Sequence, residues 1–190
     1  MSFTRIEELV VDFSTHPLDP KPNFDIGMEY ENMGQTAAAV GFYLRAAEYG
    51  YGVDPELVYT ALLRIHACMD SQKDREATAR GVLYQAISYL PDRPEAYFLL
   101  SRFYERNTNW QNCYMFACMG LMHSRSRLKP LLHTVGYPGE YGLEFEKAVS
   151  GWWIGRASES VDLFVNILQT PGVDEVHKSA CVANLGRMQA

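Results

Sequence analysis

Turn-forming residues cut this chain at intervals that each leave room for two short helices, and that punctuation is its strongest constraint. Pro17, Pro20 and Pro22 close a leading segment over residues 4–13. Gly50, Gly52 and Pro55 make a second break, and Pro91 and Pro94 a third. A longer break over residues 124–140 contains Pro130, Gly136, Pro138 and Gly139, and Gly155 and the pair Pro171-Gly172 complete the series. Between breaks, apolar residues recur at three and four, as in Phe24 and Met28 or Tyr97, Leu100, Phe103 and Tyr104. That spacing marks amphipathic helices, and almost nothing alternates with the period of two that marks a strand. Asp54-Pro55-Glu56 and Asp92-Arg93-Pro94-Glu95 supply helix starts, since proline is tolerated in the first turn and a carboxylate there offsets the positive end of the helix dipole.

Blocks open near positions 20, 55, 94 and 141, giving spacings of 35, 39 and 47 residues. The first holds Ile26-Gly27-x-x-Tyr30, then Gly34, then Ala39-x-x-x-Tyr43-x-x-Ala46. On these residues it resembles the tetratricopeptide repeat, a helix pair with a period of 34. Asn23 stands where the pattern has Trp, and Tyr51 where it closes with Pro. The spacing has a physical reason. Gly27 and Ala39 let two antiparallel helices approach, Tyr30 and Tyr43 fill the space beside them, and Gly34 allows the tight turn. Later blocks keep parts of the pattern: Ala79-x-x-x-Leu83-x-x-Ala86, then Leu100-Ser101-x-x-Tyr104 with Trp110, Cys113 and Gly120, then Ala148, Gly155 and Ser160-x-x-x-Phe164.

The resemblance implies an all-α, right-handed α-α superhelix of about four helix pairs in a single array over 1–190. It divides as a leader (1–19), repeats over 20–54, 55–93, 94–140 (including the linker) and 141–172, and a closing helix over 173–190. It also implies that the first helix of each pair lines a concave face. On the matched phase that face carries Phe24, Met28 and Glu31, then Tyr59 and Leu63, then Phe98, Arg102 and Arg106, then Phe145, Val149 and Trp152. Aromatic and Arg side chains are what binding hot spots are enriched in, so the expected ligand is a protein or peptide. The Lys-Asn series with which chaperone-binding members of the family clamp a terminal carboxylate is missing.

A second resemblance rests on Arg93-Pro94-Glu95-Ala96, residues 99–104, Trp110, Gly120, residues 141–153, Gly155 and Asn184. These look like the repeat region that follows the catalytic domain in some family 2 glycosyltransferases. That likeness implies a partner among glycosyltransferases or glycans, with Trp152 and Trp153 as sugar contacts. It implies no catalysis here, because the D-x-D element with which those enzymes hold a metal-bound sugar nucleotide is absent from the sequence.

Other chemistries find little footing. A formal charge of -6 and a pI near 5.4 give no general attraction to phosphate backbones or anionic lipid, so neither nucleic acid nor a membrane surface is expected. The longest apolar run, residues 113–122, is half of what a membrane span needs, and residues 1–20 lack the basic start and apolar core of a secretory signal. Cys68, Cys113, Cys118 and Cys181 form no CxxC pair and read as buried thiols of a reducing compartment, the cytoplasm. His16, His66, His123, His133 and His177 form no metal motif, and Gly50-Tyr51-Gly52 and Gly136-Tyr137-Pro138-Gly139 read as turns rather than phosphate cradles. No metal, cofactor or catalytic residue is expected. His66 and Cys68 lie two apart on a helix and so point to different sides, which makes a nucleophilic pair the weaker reading. Arg125, Arg127 and Lys129 read as a solvated loop that could otherwise grip an anion. Trp152 and Trp153, adjacent on a helix, diverge by about 100 degrees; either one is a binding platform or the next helix pair covers both.

Overall fold

The computed structural model describes residues 5–72, 74–124 and 129–188. Those residues form ten α-helices and no strand: α1 (Arg5–Thr15), α2 (Pro20–Asn32), α3 (Thr36–Gly50), α4 (Pro55–Asp70), α5 (Glu76–Tyr89), α6 (Glu95–Arg106), α7 (Trp110–Ser124), α8 (Glu140–Trp153), α9 (Ala157–Gln169) and α10 (Glu175–Met188). The helix starts follow local chemistry. The Asp19 side chain accepts from Lys21 N and the Asp54 side chain from Leu57 N, both at 3.0 Å, each followed by a proline as first helical residue. At the other end, Gly34 takes a φ of 73°, the left-handed conformation that lets α2 turn back into α3 within three residues.

The chain divides into two compact units: Met1–Pro91 with Pro130–Val135, and Asp92–Lys129 with Gly136–Ala190. In the N-terminal unit, α2 packs on α3, α3 on α4 and α4 on α5. The close approach of α2 and α3 is made by a missing side chain. A Cβ on Gly27 would lie 2.8 Å from Tyr43 Cδ1, so the fully buried Tyr43 ring occupies the space a larger residue would claim. Phe24 completes the layer, its ring 5.3 Å from that of Tyr43. Between α4 and α5 the same role falls to Ala79, Leu83 and Ala86, all fully buried, with the His66 imidazole Nδ1 3.1 Å from the Ala79 carbonyl oxygen. The leading segment forms α1, whose Phe13 meets Phe42 edge-on at 5.9 Å under the Arg45 guanidinium.

In the C-terminal unit, α6 packs on α7, α7 on α8, α8 on α9 and α9 on α10. Gly120 is the close-approach residue here: a Cβ would fall 3.0 Å from Tyr97 Cβ and 2.6 Å from Leu143 Cδ2. Ala148, Phe164, Ile167, Val173 and Cys181 form the core that seats α10. Before α6, Arg93 and Glu95 are buried and locked together by Arg93 Nη2 on Glu95 Oε1 at 2.6 Å and Nε on Oε2 at 3.2 Å, and Arg93 also donates to the Lys129 carbonyl. Of the basic loop cluster, Lys129 is exposed, while Arg125 and Arg127 lie outside the described residues.

Candidate functional site

The first-helix face of the C-terminal unit is built by α6, α8 and α10. Residues at i, i+4 and i+7 share a helix face, and on α8 that row is Phe145, Val149 and Trp152, all half-buried. The row forms the floor of a cavity of ≈ 300 Å³. Glu105 borders it from α6, Trp110 from α7, Trp153 from the end of α8, and Asn184, Arg187 and Met188 from α10. Arg187 Nη1 reaches Asn184 Oδ1 at 3.4 Å, so two linked polar side chains share the lining with Glu105 and the aromatic rings. Arg102 and Arg106 are exposed on the same helix as Glu105.

Next to this row on α8 is a buried carboxyl group. Glu146 follows Phe145 on α8 and is 2 % exposed. Arg102 Nε lies 3.5 Å from its Oε1, and the Cys113 thiol 3.8 Å from its Oε2. Burial pushes the Glu146 carboxyl up to about 7; the Arg102 charge opposes the shift and the Glu105 charge adds to it. The same burial, reinforced by Glu146, drives the Cys113 thiol far above its ordinary range. Cys113 is fully buried, and its thiol is held in the protonated form.

The scaffold around the face is held by ring and ion contacts. His177 of α10 lies edge-on to Tyr141 and to Phe145, each at 5.2 Å, while its Nδ1 is 2.7 Å from Asp174 Oδ2, which also accepts from the Tyr141 hydroxyl at 3.0 Å. Hydrogen bonds from His177 hold the Asp174 carboxyl down at about 2. On the far side, Glu159 accepts from the Tyr114 hydroxyl at 2.8 Å and pairs with Lys147 at 2.7 Å, tying α7, α8 and α9 together. Trp152 and Trp153 part as their helical angle requires: Trp152 enters the floor half-buried, and Trp153, 61 % exposed, stacks on Trp110 at 5.3 Å with a 13° tilt.

The expected face residues thus fall into three groups. Phe145, Val149 and Trp152 line the open cavity, whereas Arg102 and Arg106 are exposed on α6 outside its lining. Phe24, Tyr59, Leu63 and Phe98 are buried, which takes them off any accessible surface. Their phase is inward, but irregular chain covers two of them. In the N-terminal unit the His133 ring lies 4.8 Å from Phe24, and in the C-terminal unit the Tyr137 ring lies 5.5 Å from Phe98. Met28 and Glu31 are half-buried, and Glu31 Oε2 accepts from the Tyr43 hydroxyl at 2.6 Å beside Arg64 Nε at 3.2 Å. Arg64, Glu146, Asn184 and Arg187 were not expected at a site. Arg64 is one residue beyond the matched Leu63, and Glu146 lies between Glu144 and Lys147, in a charged run that reads as solvated.

Among the described residues no group of three or more His, Cys, Asp or Glu could hold a metal ion, and no helix is long and apolar enough to cross a membrane. No protein-family model matches the chain, and no curated protein does. Solved structures do. MamA from Desulfovibrio magneticus RS-1 superposes with a TM-score of 0.62 at 15% identity, over 86% of this chain and 82% of that one. PilW, a widely conserved type IV pilus biogenesis factor, gives 0.65 at 14% identity over 92% and 72%. A thermophilic TPR protein of Thermus thermophilus, TTC0263, gives 0.57 at 13% identity over 95% and 88%. The chain has an all-α, tetratricopeptide-like fold.

Proposed function

We propose that this chain is a non-catalytic scaffold that holds a protein partner on the α6–α8–α10 face of its C-terminal unit. One observation carries the reading: Phe145, Val149 and Trp152 form an apolar row left half-covered at a ≈ 300 Å³ cavity, with Glu105, Asn184 and Arg187 at its border. An indole flanked by guanidinium and carboxylate groups suits a peptide that inserts one apolar side chain and fixes its register by polar contacts at the rim. The tetratricopeptide-like fold supports the same class. The division into four helix pairs and a closing helix belongs to this reading. So does a cytoplasmic location, which rests on four cysteines that are all unpaired.

The test is affinity capture from source lysate with the wild-type chain and with Trp152→Ala and Arg102→Glu, read by mass spectrometry. The reading requires one protein enriched on wild type and lost on both variants. Equal recovery on all three sets it aside.

The three indoles of Trp110, Trp152 and Trp153 around Glu105, Asn184 and Arg187 favour a second reading, a carbohydrate-contacting module of a glycosyltransferase system. Sugar C–H faces stack on aromatic rings while planar polar side chains bind the hydroxyls. Binding of an oligosaccharide that quenches indole fluorescence in wild type, and not in Trp153→Ala, would select it over the first.

A further inference from the structure

Each turn inside a helix pair places one residue in the left-handed region: Gly34 (φ 73°) between α2 and α3, Asp74 (φ 63°) between α4 and α5, Thr108 (φ 52°) between α6 and α7, and Gly155 (φ 83°) between α8 and α9. Glycine adopts that conformation freely and Asp tolerates it, but a β-branched residue is strained there, and such strain gathers where a side chain is held toward a ligand. Thr108 is exposed, and with Asn107, Asn109 and Gln111 it lines an open cleft of ≈ 470 Å³. Trp110, Trp153 and Ile154 complete the lining, so no charged side chain borders the cleft. Trp153 is 61 % exposed although Trp110 covers one face of its indole, which leaves the other face to solvent. The polar groups beside the rings include both donors and acceptors. The Asn107 amide donates to the Phe103 carbonyl at 2.8 Å and keeps its side-chain oxygen, whereas Asn109 Oδ1 accepts from Asn112 N at 3.3 Å, leaving its amide nitrogen. A flat ring face bordered by uncharged donors and acceptors suits a ligand with a flat C–H face and a rim of hydroxyls. A peptide anchor would call for an apolar pocket, and an ion for a charge.

We propose that the cleft at the α6–α7 turn binds a neutral sugar ring, stacked on the open face of Trp153 with its hydroxyls on Thr108, Asn109 and Gln111. Thr108 presents a hydroxyl at a position where glycine would make the easier turn and offer no contact. The ligand class is that of the carbohydrate reading, on which the proposal rests, but the place differs. The cleft shares Trp110 and Trp153 with the α6–α8–α10 cavity, and Trp152, Glu105, Asn184 and Arg187 belong to the cavity alone. One stacked ring and a few hydrogen bonds predict a dissociation constant on the order of 1 mM.

The probes are maltotriose, cellotriose and chitotriose, each titrated at millimolar concentration into the isotope-labelled full-length chain while NMR follows the three indole Nε1–H resonances. At least one sugar should shift the Trp110 and Trp153 resonances and leave that of Trp152 in place. Trp153→Ala should abolish binding, and Gln111→Ala and Thr108→Gly should each weaken it severalfold, with circular dichroism confirming that the helices are kept. Thr108→Gly should do so while raising Tm by a few degrees, because the turn is relieved of strain. A sugar that shifts Trp152 as strongly as Trp153 leaves the carbohydrate reading of the cavity standing and overturns the cleft. No shift with any of the three overturns both. Binding undiminished by Trp153→Ala, or by Gln111→Ala and Thr108→Gly alike, also overturns the proposal. So does a proline-rich peptide that shifts Trp110 and Trp153 where the sugars do not, which would make the occupant a peptide.

Discussion

Gly27 and Gly41 sit on facing helices of one pair, and alanine at each separates packing from helix propensity. Both lie within helices, α2 and α3, where glycine costs about 1 kcal/mol relative to alanine, so the propensity gain of the substitution is the same at both. The surroundings differ. A Cβ on Gly41 meets nothing within 4 Å, whereas one on Gly27 meets Tyr43 Cδ1 at 2.8 Å and Cε1 at 2.9 Å. Tyr43 cannot yield easily: it is fully buried, in ring contact with Phe24, and held at its hydroxyl by Glu31. Forcing an extra methyl into such a core costs about 1–3 kcal/mol. Gly41→Ala should therefore stabilise by up to about 1 kcal/mol, and Gly27→Ala should fall below it by about 1–3 kcal/mol, since propensity cancels in the comparison. For a chain of this size that gap corresponds to roughly 2–10 °C in Tm. Urea unfolding followed at 222 nm measures it, with unchanged m values showing that the denatured states are alike. If Gly27→Ala proves as stable as Gly41→Ala, the small-against-ring account of helix pairing is wrong.

Other consequences are as direct. Folding raises the Glu146 pKa from an ordinary 4.5 to about 7, so the folded state holds the extra proton between those values and stability falls as pH rises through that window. Glu146→Gln should remove that dependence and be more stable than wild type at pH 8, by an amount on the order of 3 kcal/mol at most, measured by urea titrations at pH 5 and pH 8. Asp54→Ala removes the oxygen that accepts from Leu57 N and should cost about 1 kcal/mol in the same assay. Burial raises all four thiol pKa values, those of Cys68 and Cys181 to about 11; Cys118, the one thiol that is half-buried, should react first with a disulfide reagent, the others only on unfolding. Trp153→Ala, at an exposed stacked position, should leave the unfolding free energy within about 1 kcal/mol of wild type while blue-shifting the indole emission.

The helix pairs were legible because their chemistry is local and periodic. Gly27 facing Tyr43 and the turn at Gly34 can be read from spacing, since a helix places side chains by a fixed angle. The site was only partly legible. Phase alone places Phe24 and Phe98 on the inward side, but not under His133 and Tyr137, because a stretch without period gives no angle from which to infer where its rings will land. Glu146 was hidden for a different reason: on an inward phase a carboxylate is ordinarily a solvated neighbour of the core, and only the packing of Cys113 and Arg102 around it reveals the buried charge. The Trp152-Trp153 pair left two readings open; Trp153, 61 % exposed and stacked on Trp110, is not covered by a following helix pair, which spacing alone could not express.

Hydrogen–deuterium exchange of the full-length chain with and without its captured partner tests the central claim most directly. Slowed exchange in α8 between Phe145 and Trp152, together with the facing parts of α6 and α10, is the predicted result. Protection confined to α7 and α9, with α8 unchanged, would contradict it.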